Sequence, residues 1–335
     1  MMAVDTTEQT VSVQNGEQVP YDKLLVASGS RPIIPPDIGD TDIKGVFALR
    51  TLTHARAMVQ WAESARQVVM LGGGILNIKA ATALLELDLD VTMIELESEI
   101  LPWLMEPDAA SLIHNVLTKA GLKVITGCTA SRILSDVNGV SGVLLDNGRE
   151  LPCQMFCIGI GVTPNVDFLD QSNIEVEQGV MVDRFTACST RNVFAAGDVA
   201  VTFNPITGEK VITGLWTNAV EMGRCAGSNM ADRPTEYSGT FGILNASQVG
   251  DVPFISMGIV HTAGTDYETH IVAGPNSYRK LVFNPDGTRL IGALFVGDIS
   301  RAGLYRAVIR EKKSPEKIKS YIINHKLHYG HFLCN

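Results

Sequence analysis

Apolar residues in the first half of the chain come in short runs, which Gly, Pro and polar residues separate. The run at Gln67–Leu71 is apolar after its first residue, and a second run at Val91–Glu95 is mostly apolar. Runs of this length suit strands that are buried on both faces of a parallel sheet. Gly72-Gly73-Gly74 follows the first run, and Ile75–Leu87 then predicts a helix. Together these segments predict one βαβ unit of about thirty residues.

The same reading extends this unit into a domain and predicts a different architecture near the C-terminus. A helix at Pro107–Ala120 begins with Pro, which is tolerated at a first helical position because the missing N–H has no partner there. Asn147-Gly148 predicts a tight hairpin turn. From about Tyr237 the pattern changes to short strands and two late helices, at Arg301–Glu311 and Pro315–Asn324. The other predicted elements are a helix at His54–Ser64 and strands at Val11–Val13, Leu24–Ala27, Lys123–Thr126, Ala130–Ser135, Gly142–Leu145 and Val193–Ala196.

Length and composition fit a chain of two or three globular domains. The 335 residues are 45% apolar and 19% charged, which is ordinary for an α/β protein. No apolar run approaches the roughly 18 residues that span a bilayer, and the first residues lack the pattern of a secretory signal. We therefore expect a cytoplasmic protein with no membrane partner. The net charge of −9 argues against nucleic-acid binding.

One segment, Arg301–Lys326, is basic against this acidic background. Two interpretations of it stay open. The cations can lie on the solvated faces of two helices, where the helix dipole favours positive charge near a C-terminus. Alternatively, they form a docking surface for an acidic electron-transfer protein. The cations are Arg301, Arg306, Arg310, Lys312, Lys313, Lys317, Lys319 and Lys326.

The six cysteines show no redox-active pair. None lies in a CxxC motif, and Cys153 and Cys157, four residues apart in an apolar run, would stand about 13 Å apart on one strand. That separation excludes a disulfide and a shared metal ion. We therefore expect buried, reduced thiols and no metal site.

Four motifs follow one another along the chain. They are YDKLLVASGSRP at Tyr21–Pro32, the Gly-rich turn after Gln67–Leu71, IGIGVTPN at Ile158–Asn165 and NVFAAGDVA at Asn192–Ala200. This order resembles the FAD-dependent pyridine nucleotide–disulfide oxidoreductase family. Within the family it is most similar to the branch of rubredoxin and ferredoxin reductases, NADH oxidases and the flavin module of nitrite reductase. The resemblance implies an α/β fold in which a Rossmann-like NAD domain is inserted in an FAD domain, followed by a C-terminal α+β domain.

On this resemblance we divide the chain into residues 1–50 and 166–236 of the FAD domain, the NAD domain at 51–165, and a C-terminal interface domain at 237–335. In the family a first Gly-rich turn near the N-terminus holds the FAD pyrophosphate, and this sequence does not contain it. We therefore expect an incomplete FAD domain. We also expect weak or absent FAD binding by this chain alone, unless a partner supplies the missing half. A chain that begins at an internal Met would show the same pattern.

The Gly-rich turn after Gln67–Leu71 is a candidate dinucleotide site. A GxGxxG turn that opens a helix directs backbone N–H groups and the positive end of the helix dipole at a pyrophosphate. Gly72 and Gly74 stand at the first two positions, and Glu95 lies about twenty residues on, where a carboxylate accepts both ribose hydroxyls. Glu97 and Glu99 would repel a 2′-phosphate, which favours NAD over NADP. The alternative is a tight turn that binds no ligand.

Two residues depart from the dinucleotide pattern. Asn77 stands where the third Gly normally allows tight packing of helix on strand, so its side chain should push the helix away or turn outward. Family members carry a Glu near the nicotinamide where this chain has Lys79. That charge reversal would disturb nicotinamide placement, unless Lys79 pairs with a neighbouring carboxylate. The resemblance also implies that Gly161 lies where NAD meets the flavin.

The resemblance assigns the remaining candidates to FAD. Gly197 would let the backbone meet the cofactor, and Asp198 would accept hydrogen bonds from the ribityl hydroxyls; the alternative is an Asp that caps a turn. A helix that begins near Thr217 would direct its positive end at the flavin ring. The candidates on this helix are Trp216, Asn218 and Ala219, and those in the first motif are Ser28, Gly29 and Arg31.

The sequence therefore predicts an NADH-dependent FAD oxidoreductase that passes electrons from NADH through the flavin to a redox acceptor. The acceptor would be a small redox protein or a small molecule, and the chain would form a homodimer or join a partner subunit. No catalytic side chain is assigned, because the cofactors carry the chemistry. The alternative is a non-catalytic relative that serves as a binding or structural subunit without FAD. The missing first turn, Asn77 and Lys79 support this alternative.

Overall fold

The computed structural model describes residues 2–240, 244–310 and 317–332. The chain divides into two compact units. One unit comprises Met1–Arg31 and Val162–Gly242, and the other comprises Pro32–Gly161 and Ile243–Asn335. Each unit contains its own hydrophobic core. The division into an FAD, an NAD and a C-terminal domain stays a prediction.

A five-stranded parallel sheet forms the centre of the second unit, as the apolar runs predict. The spatial order is β6-β13-β7-β8-β9. Val68, Met70 and Met93 are buried on one face, and Val69, Leu71 and Ile94 are buried on the other, so the sheet is covered on both faces. Its edge strand β6 was not predicted, because three half-buried residues give no recognisable period. The strands are β6 (Val46–Ala48), β7 (Gln67–Leu71), β8 (Asp90–Glu95), β9 (Lys123–Thr126) and β13 (Met155–Ile158).

Helices cover this sheet and the strands that follow it. Pro107 occupies a first-turn position of its helix, as predicted. The helix after the Gly-rich turn ends two residues earlier than predicted, because Asp88 takes a left-handed φ of 59° and Leu89 N–H returns to the Leu84 carbonyl at 3.3 Å. The helices of this unit are α1 (Leu52–Ala62), α2 (Ile75–Leu85), α3 (Pro107–Lys119), α5 (Ala302–Arg310) and α6 (Lys319–Ile323).

An aromatic contact joins α1 to the edge of the sheet. The rings of Phe47 in β6 and Trp61 in α1 meet edge to face, with centroids 6.4 Å apart. The indole N–H of Trp61 donates to the Gln154 carbonyl at 2.6 Å, which satisfies its polar atom. Thr51 caps the start of α1 by accepting from His54 N–H at 3.2 Å.

A three-stranded antiparallel meander follows β9, as predicted. Its hairpin turn lies at Asn147-Gly148, where Gly148 takes a φ of 83°. One side of the meander carries a second core of this unit, which includes Val143, Leu145 and Phe156. The strands are β10 (Ala130–Asp136), β11 (Gly139–Leu145) and β12 (Glu150–Pro152).

The placement of two cysteines differs from the prediction. Cys153 precedes β13 and belongs to the core beside the meander, whereas Cys157 lies within β13 and belongs to the core under the helices. They do not share one strand, because β12 ends at Pro152 and β13 begins only at Met155. Cys128, Cys153, Cys157, Cys188 and Cys225 are all free thiols; Cys334 lies outside the described residues. Burial raises the pKa of Cys153 to about 12, so its thiol stays protonated.

A five-stranded antiparallel sheet and two late helices complete the second unit. The sheet order is β19-β20-β23-β22-β21. Its residues Phe254, Tyr278 and Leu294 share one core with α2 and α3. The first late helix matches its prediction within the described range, whereas α6 begins only at Lys319, and residues 311–316 lie outside the described residues. The strands are β19 (Leu244–Val249), β20 (Val252–Gly258), β21 (Glu268–Gly274), β22 (Ser277–Phe283) and β23 (Leu290–Val296).

The first unit is built around a pair of parallel strands and one long helix. Strand β4 pairs with β16, so that Leu24 faces Val193 and Val26 faces Ala195. Helix α4 (Trp216–Met230) begins one residue before the prediction. The strands of this unit are β1 (Ala3–Asp5), β2 (Thr10–Ser12), β3 (Gln18–Pro20), β4 (Leu24–Val26), β5 (Ser30–Pro32), β14 (Val162–Pro164), β15 (Val180–Met181), β16 (Val193–Ala195), β17 (Ala200–Phe203) and β18 (Lys210–Val211).

Candidate functional site

The Gly-rich turn between β7 and α2 has the geometry of a phosphate-binding turn. Gly72 takes a φ of 102°, and a Cβ there would lie 2.5 Å from the Gly159 carbonyl oxygen, so only glycine fits. Gly74 is the N-cap of α2 and has no side chain that could accept from the first N–H groups of the helix. These donors and the positive end of the helix dipole therefore remain available to an anion.

Glu95 lies directly beside this turn. Its side chain is 8% exposed at the end of β8. One carboxylate oxygen accepts from Glu97 N–H at 2.9 Å, and the other accepts from Gly73 N–H. A Cβ on Gly73 would lie 3.0 Å from that second oxygen, which explains the middle glycine. Each oxygen keeps a further lone pair, so the fixed carboxylate fits a ribose diol.

Asn77 does not behave as predicted. It is 1% exposed and points inward, where its amide donates to the Leu71 carbonyl at 2.7 Å and to the Gly72 carbonyl at 2.8 Å. Space for the side chain comes from Gly159, whose added Cβ would lie 2.2 Å from Asn77 Oδ1. The expectation that this side chain turns outward is therefore wrong. Asn77 holds the turn together by hydrogen bonds in place of the close helix contact that glycine allows.

In the described part of the chain, Lys79 forms no ion pair with a carboxylate. Its ammonium donates to the backbone carbonyl of Gln248 in β19. The predicted alternative of an ion pair is replaced by a contact with the antiparallel sheet.

Gly161 lies just beyond the strand that flanks the turn. It takes a φ of 123°, and its carbonyl accepts from Ile33 N–H at 3.0 Å. Two residues earlier, Gly159 N–H donates to the Leu71 carbonyl at 2.9 Å, so this segment runs alongside the Gly-rich turn. Gly72, Gly74, Asn77, Glu95 and Gly161 are thus assembled at the carboxyl edge of the parallel sheet, while Lys79 reaches β19.

In the first unit, Asp198 lies where the parallel strands β4 and β16 end. Gly197 takes a φ of 79°, with Ala219 Cβ 3.4 Å from the position of an added Cβ. The Asp198 carboxylate accepts from Ser30 Oγ at 2.9 Å. Ser30 was not among the predicted site residues, although it belongs to the same SGSRP segment as Ser28 and Gly29. Asp198 therefore bonds a side chain of the first motif, and its role toward FAD stays a prediction.

The other candidates of the first motif surround Asn165. Ser28 Oγ donates to the Asn165 carbonyl at 2.7 Å, and the Asn165 amide donates back to the Ser28 carbonyl at 2.9 Å. Arg31 lies 3.0 Å from Asp167 in an ion pair whose members are both largely exposed. Exposed pairs of this kind contribute little stability, so Arg31 can exchange this partner for an anionic ligand at small cost. Gly29 takes a φ of 68°, which permits the bend between β4 and β5.

At the start of α4 one candidate side chain is exposed to solvent and another is buried. Trp216 is 85% exposed, and the helix has no side-chain cap. Asn218 is buried, with its amide 3.2 Å from Thr213 Oγ1 and its carbonyl oxygen accepting from Tyr237 Oη. The Asn218 side chain is therefore used in packing, and its role toward FAD stays a prediction. Asp198, the Gly197 backbone and the uncapped helix fit the ribityl and ring portion of FAD.

Comparisons with known proteins place the chain in a family. Residues 1–223 match the family model described as pyridine nucleotide-disulphide oxidoreductase. The chain belongs to this family. The resemblance drawn from the four motifs is thus confirmed, as is the α/β fold with its parallel sheet. FAD and NAD are the cofactors of the family.

Two curated relatives illustrate the level of similarity. The chain is 29% identical over 333 residues to the NADH-dependent phenylglyoxylate dehydrogenase subunit epsilon of Aromatoleum evansii, covering 98% of this chain and 78% of that protein. It is 28% identical over 302 residues to the NADH oxidase of Methanocaldococcus jannaschii, covering 84% of this chain and 66% of that protein.

Solved structures show the same fold. A NAD-dependent persulfide reductase from A. fulgidus has a TM-score of 0.87 and 26% identity, covering 94% of this chain and 62% of that one. A water-forming NADH oxidase from Lactobacillus brevis, bound to NADH, has a TM-score of 0.85 and 26% identity, covering 94% and 74%. Within the described part of the chain, no helix combines the length and apolar character that a bilayer span requires.

Proposed function

We propose that the protein is an NADH-dependent flavoprotein oxidoreductase that passes electrons from NADH through FAD to an acceptor. The observation that carries the proposal is the pairing of the buried Glu95 carboxylate with the Gly72–Gly74 turn at the uncapped start of α2. This pairing offers a diol acceptor and a pyrophosphate site side by side.

Each set of residues has a definite task in this proposal. Glu95 would orient the adenosine ribose, and the first N–H groups of α2 would hold the pyrophosphate. Ser30 holds the Asp198 carboxylate in place, so that it can accept from ribityl hydroxyls. The start of α4 would favour negative charge on the ring. When bound, the two cofactors supply hydride transfer from the nicotinamide to the flavin.

We propose NAD rather than NADP as the dinucleotide. Glu97 is exposed beside Glu95, and Glu99 follows in the same loop, 3.9 Å from His114. Negative charge at these positions would repel a 2′-phosphate. A direct comparison of NADH and NADPH binding tests this preference.

The electron acceptor is proposed from the relatives alone. They include a ferredoxin–NAD⁺ reductase component from Burkholderia cepacia and a rubredoxin–NAD⁺ reductase from Ectopseudomonas oleovorans. A small redox protein of this kind, or a small molecule, would receive the electrons. The similarity to a dehydrogenase subunit equally supports a partner subunit that works with this chain.

The test combines flavin content with dinucleotide binding. Purified protein should bind NADH, and its flavin absorbance shows whether this chain holds FAD alone or only with a partner that supplies the missing half. Glu95→Gln should weaken NADH binding about tenfold or more, because hydrogen bonds to a charged group contribute roughly 1.5–3 kcal/mol. Glu86→Gln, at the exposed far end of α2, makes the same charge change and should leave binding unaltered. A folded, colourless protein that binds no NADH would favour the non-catalytic subunit.

A further inference from the structure

Lys280 on β22 is a buried lysine outside the sites described so far. Its side chain is 1% exposed, and its ammonium contacts Glu106 and lies 2.7 Å from Thr262 Oγ1. A buried charge is costly unless it is paired and hydrogen-bonded, so this lysine requires both partners. A pair of this kind is weak evidence for stability alone, because apolar residues of similar size often serve as well.

Glu106 completes the cluster from the side of the parallel sheet. It is the N-cap residue of α3, and its second carboxylate oxygen accepts from Tyr278 Oη at 3.2 Å. Burial and the nearby Glu106 carboxylate raise the pKa of Tyr278, so the phenol remains a neutral donor. Lys280 and Tyr278 of β22 therefore hold both oxygens of the residue at which α3 begins. We call Glu106, Thr262, Tyr278 and Lys280 the Glu106 cluster.

The segment between Glu95 and Glu106 links this cluster to the Gly-rich turn. Glu95 accepts from Gly73 N–H, and Leu101 N–H donates to the Gly73 carbonyl at 3.0 Å. Leu101 is buried and takes a left-handed φ of 55°, which few side chains tolerate. The segment is thus fixed to Gly73 near its middle and to β22 at its end.

A second contact joins the same antiparallel sheet to α2. Lys79, in the first half of that helix, donates to the Gln248 carbonyl in β19. Helix α2 follows the turn directly, α3 follows the segment that is hydrogen-bonded to Gly73, and both helices contact the sheet β19–β23. The buried residues of the two layers also form one continuous core.

We propose that the sheet β19–β23 sets the geometry of the dinucleotide turn through the Glu106 cluster, with Glu106 and Lys280 as positioning residues. This inference rests on the proposed binding of NADH at Gly72 and Glu95. Loosening α3 at its start frees the segment that carries Leu101, and Gly73 then loses its fixed orientation toward Glu95. A displacement of about 1 Å at such a site is sufficient to weaken a ligand-binding geometry severely.

The first measurement needs no ligand. Amide hydrogen exchange at Gly73 and Leu101 should speed up in Lys280→Met, relative to amides of β8 in the same variant. Lys280→Met/Glu106→Gln leaves no unpaired buried charge, so it keeps the proposal testable if the single variant unfolds. Lys123→Met is the matched control. It removes an exposed ion pair with Asp90, 2.7 Å long, between β9 and β8 of the parallel sheet. It should change neither amide.

The second measurement is NADH affinity. The Lys280 variants should bind NADH at least about fivefold more weakly, the lower range of coupling between sites, and Lys123→Met should bind normally. A lower unfolding midpoint with unchanged exchange at Gly73 and Leu101 and unchanged NADH affinity would overturn the proposal and leave the cluster a purely stabilising contact. If the wild type binds no NADH, the proposed function is wrong, whereas the exchange rates still decide the coupling.

Discussion

Asn77 and Gly159 are a complementary pair at the floor of the Gly-rich turn. The Asn77 amide occupies the volume that a side chain at position 159 would need, and it holds two carbonyls of the turn. The dinucleotide pattern lacks a glycine at position 77. Gly159, just after β13, leaves the space that the Asn77 side chain of α2 fills. Asn77 therefore keeps the turn in place by its own hydrogen bonds, and its effect on dinucleotide binding stays a prediction.

This complementarity predicts a specific epistasis. Gly159→Ala should destabilise the wild type by roughly 1–3 kcal/mol, because the added methyl overlaps a well-packed amide. In an Asn77→Gly background the same change should cost much less, since Gly159 has no left-handed φ and the three atoms nearest to an added Cβ all belong to Asn77. Urea unfolding of the two single variants and the double variant measures the coupling directly.

Additive effects of the two substitutions would contradict this account of the turn. Gly16→Ala is not a suitable control, because Gly16 has a φ of 84° and would be strained in any background. Gly227→Ala on α4 is suitable, since an added Cβ there meets nothing within 4 Å. It should show no coupling to Asn77→Gly.

At the scale of elements, a hydrogen-bonded chain joins the two late helices through His325. Tyr305 Oη donates its one hydrogen to the Ile322 carbonyl at 2.9 Å, so at His325 Nδ1, also 2.9 Å away, it accepts. His325 therefore carries its proton on Nδ1, and its bare Nε2 accepts from Ser300 Oγ at 3.1 Å. Burial, and then the Arg279 charge, lower the pKa of His325 against the opposing effect of Asp298.

This lowered pKa predicts a loss of stability on acidification. Above the ordinary histidine pKa near 6.5, both folded and unfolded states are neutral at this residue. As the pH falls below that value, the unfolded chain takes up a proton that the folded state resists, so the free energy of unfolding decreases. The decrease continues until the pH reaches the lowered pKa of the folded state.

Urea unfolding between pH 7 and pH 5 checks this prediction. His325→Gln should reduce the slope of stability against pH, whereas His261→Gln, at an exposed position, should not. The lowered pKa values of Glu268 and Asp298 act only below this window, so they do not obscure the result. Equal slopes in the wild type and His325→Gln would contradict the assignment.

The sequence predicted those elements whose signal is local. The apolar runs predicted β7 and β8, and Pro107 predicted the start of α3. Asn147-Gly148 predicted the hairpin turn between β11 and β12. The edge strand β6 escaped because three half-buried residues carry no period. The left-handed Asp88 that ends α2 was also unpredictable, because Leu87 and Asp88 continue a plausible helical pattern.

The residues of the candidate site also separate into those with a local sequence signal and those without one. Gly72, Gly74, Glu95, Gly197 and Asp198 could be named as candidates because they lie in motifs at fixed distances from a strand. Their partners Ser30 and Gly159 were missed, as was the Gln248 partner of Lys79, because these contacts join residues up to 169 positions apart. Lys280 was unpredictable as a buried group, because lysine in a strand ordinarily implies a solvated face.

At the scale of the whole molecule, the two compact units hold the candidate residues for different cofactors. The NADH candidates lie in the unit of Pro32–Gly161, and the FAD candidates lie in the unit of Val162–Gly242. Each ligand should therefore stabilise its own unit first. A ligand that binds only the folded state at a hundred times its Kd contributes about 2.7 kcal/mol.

Hydrogen exchange read by mass spectrometry separates the two effects. NADH should protect peptides across β7, the Gly-rich turn and β8, and FAD should protect peptides across β16 and the start of α4. In each experiment the peptides of the other unit serve as the internal reference. Protection of β7 and β8 by FAD alone would place the flavin candidates in the wrong unit.

The edge-to-face contact between Phe47 and Trp61 has an optical consequence. Trp61 is the tryptophan with a bonded, half-buried indole, whereas Trp103 and Trp216 are 75% and 85% exposed. Fluorescence of the folded protein should accordingly be dominated by water-relaxed, red-shifted emission, with a smaller blue component. After Trp103 and Trp216 are replaced by Phe, all tryptophan emission comes from Trp61. Its change on heating then reports the unfolding of the sheet edge at β6.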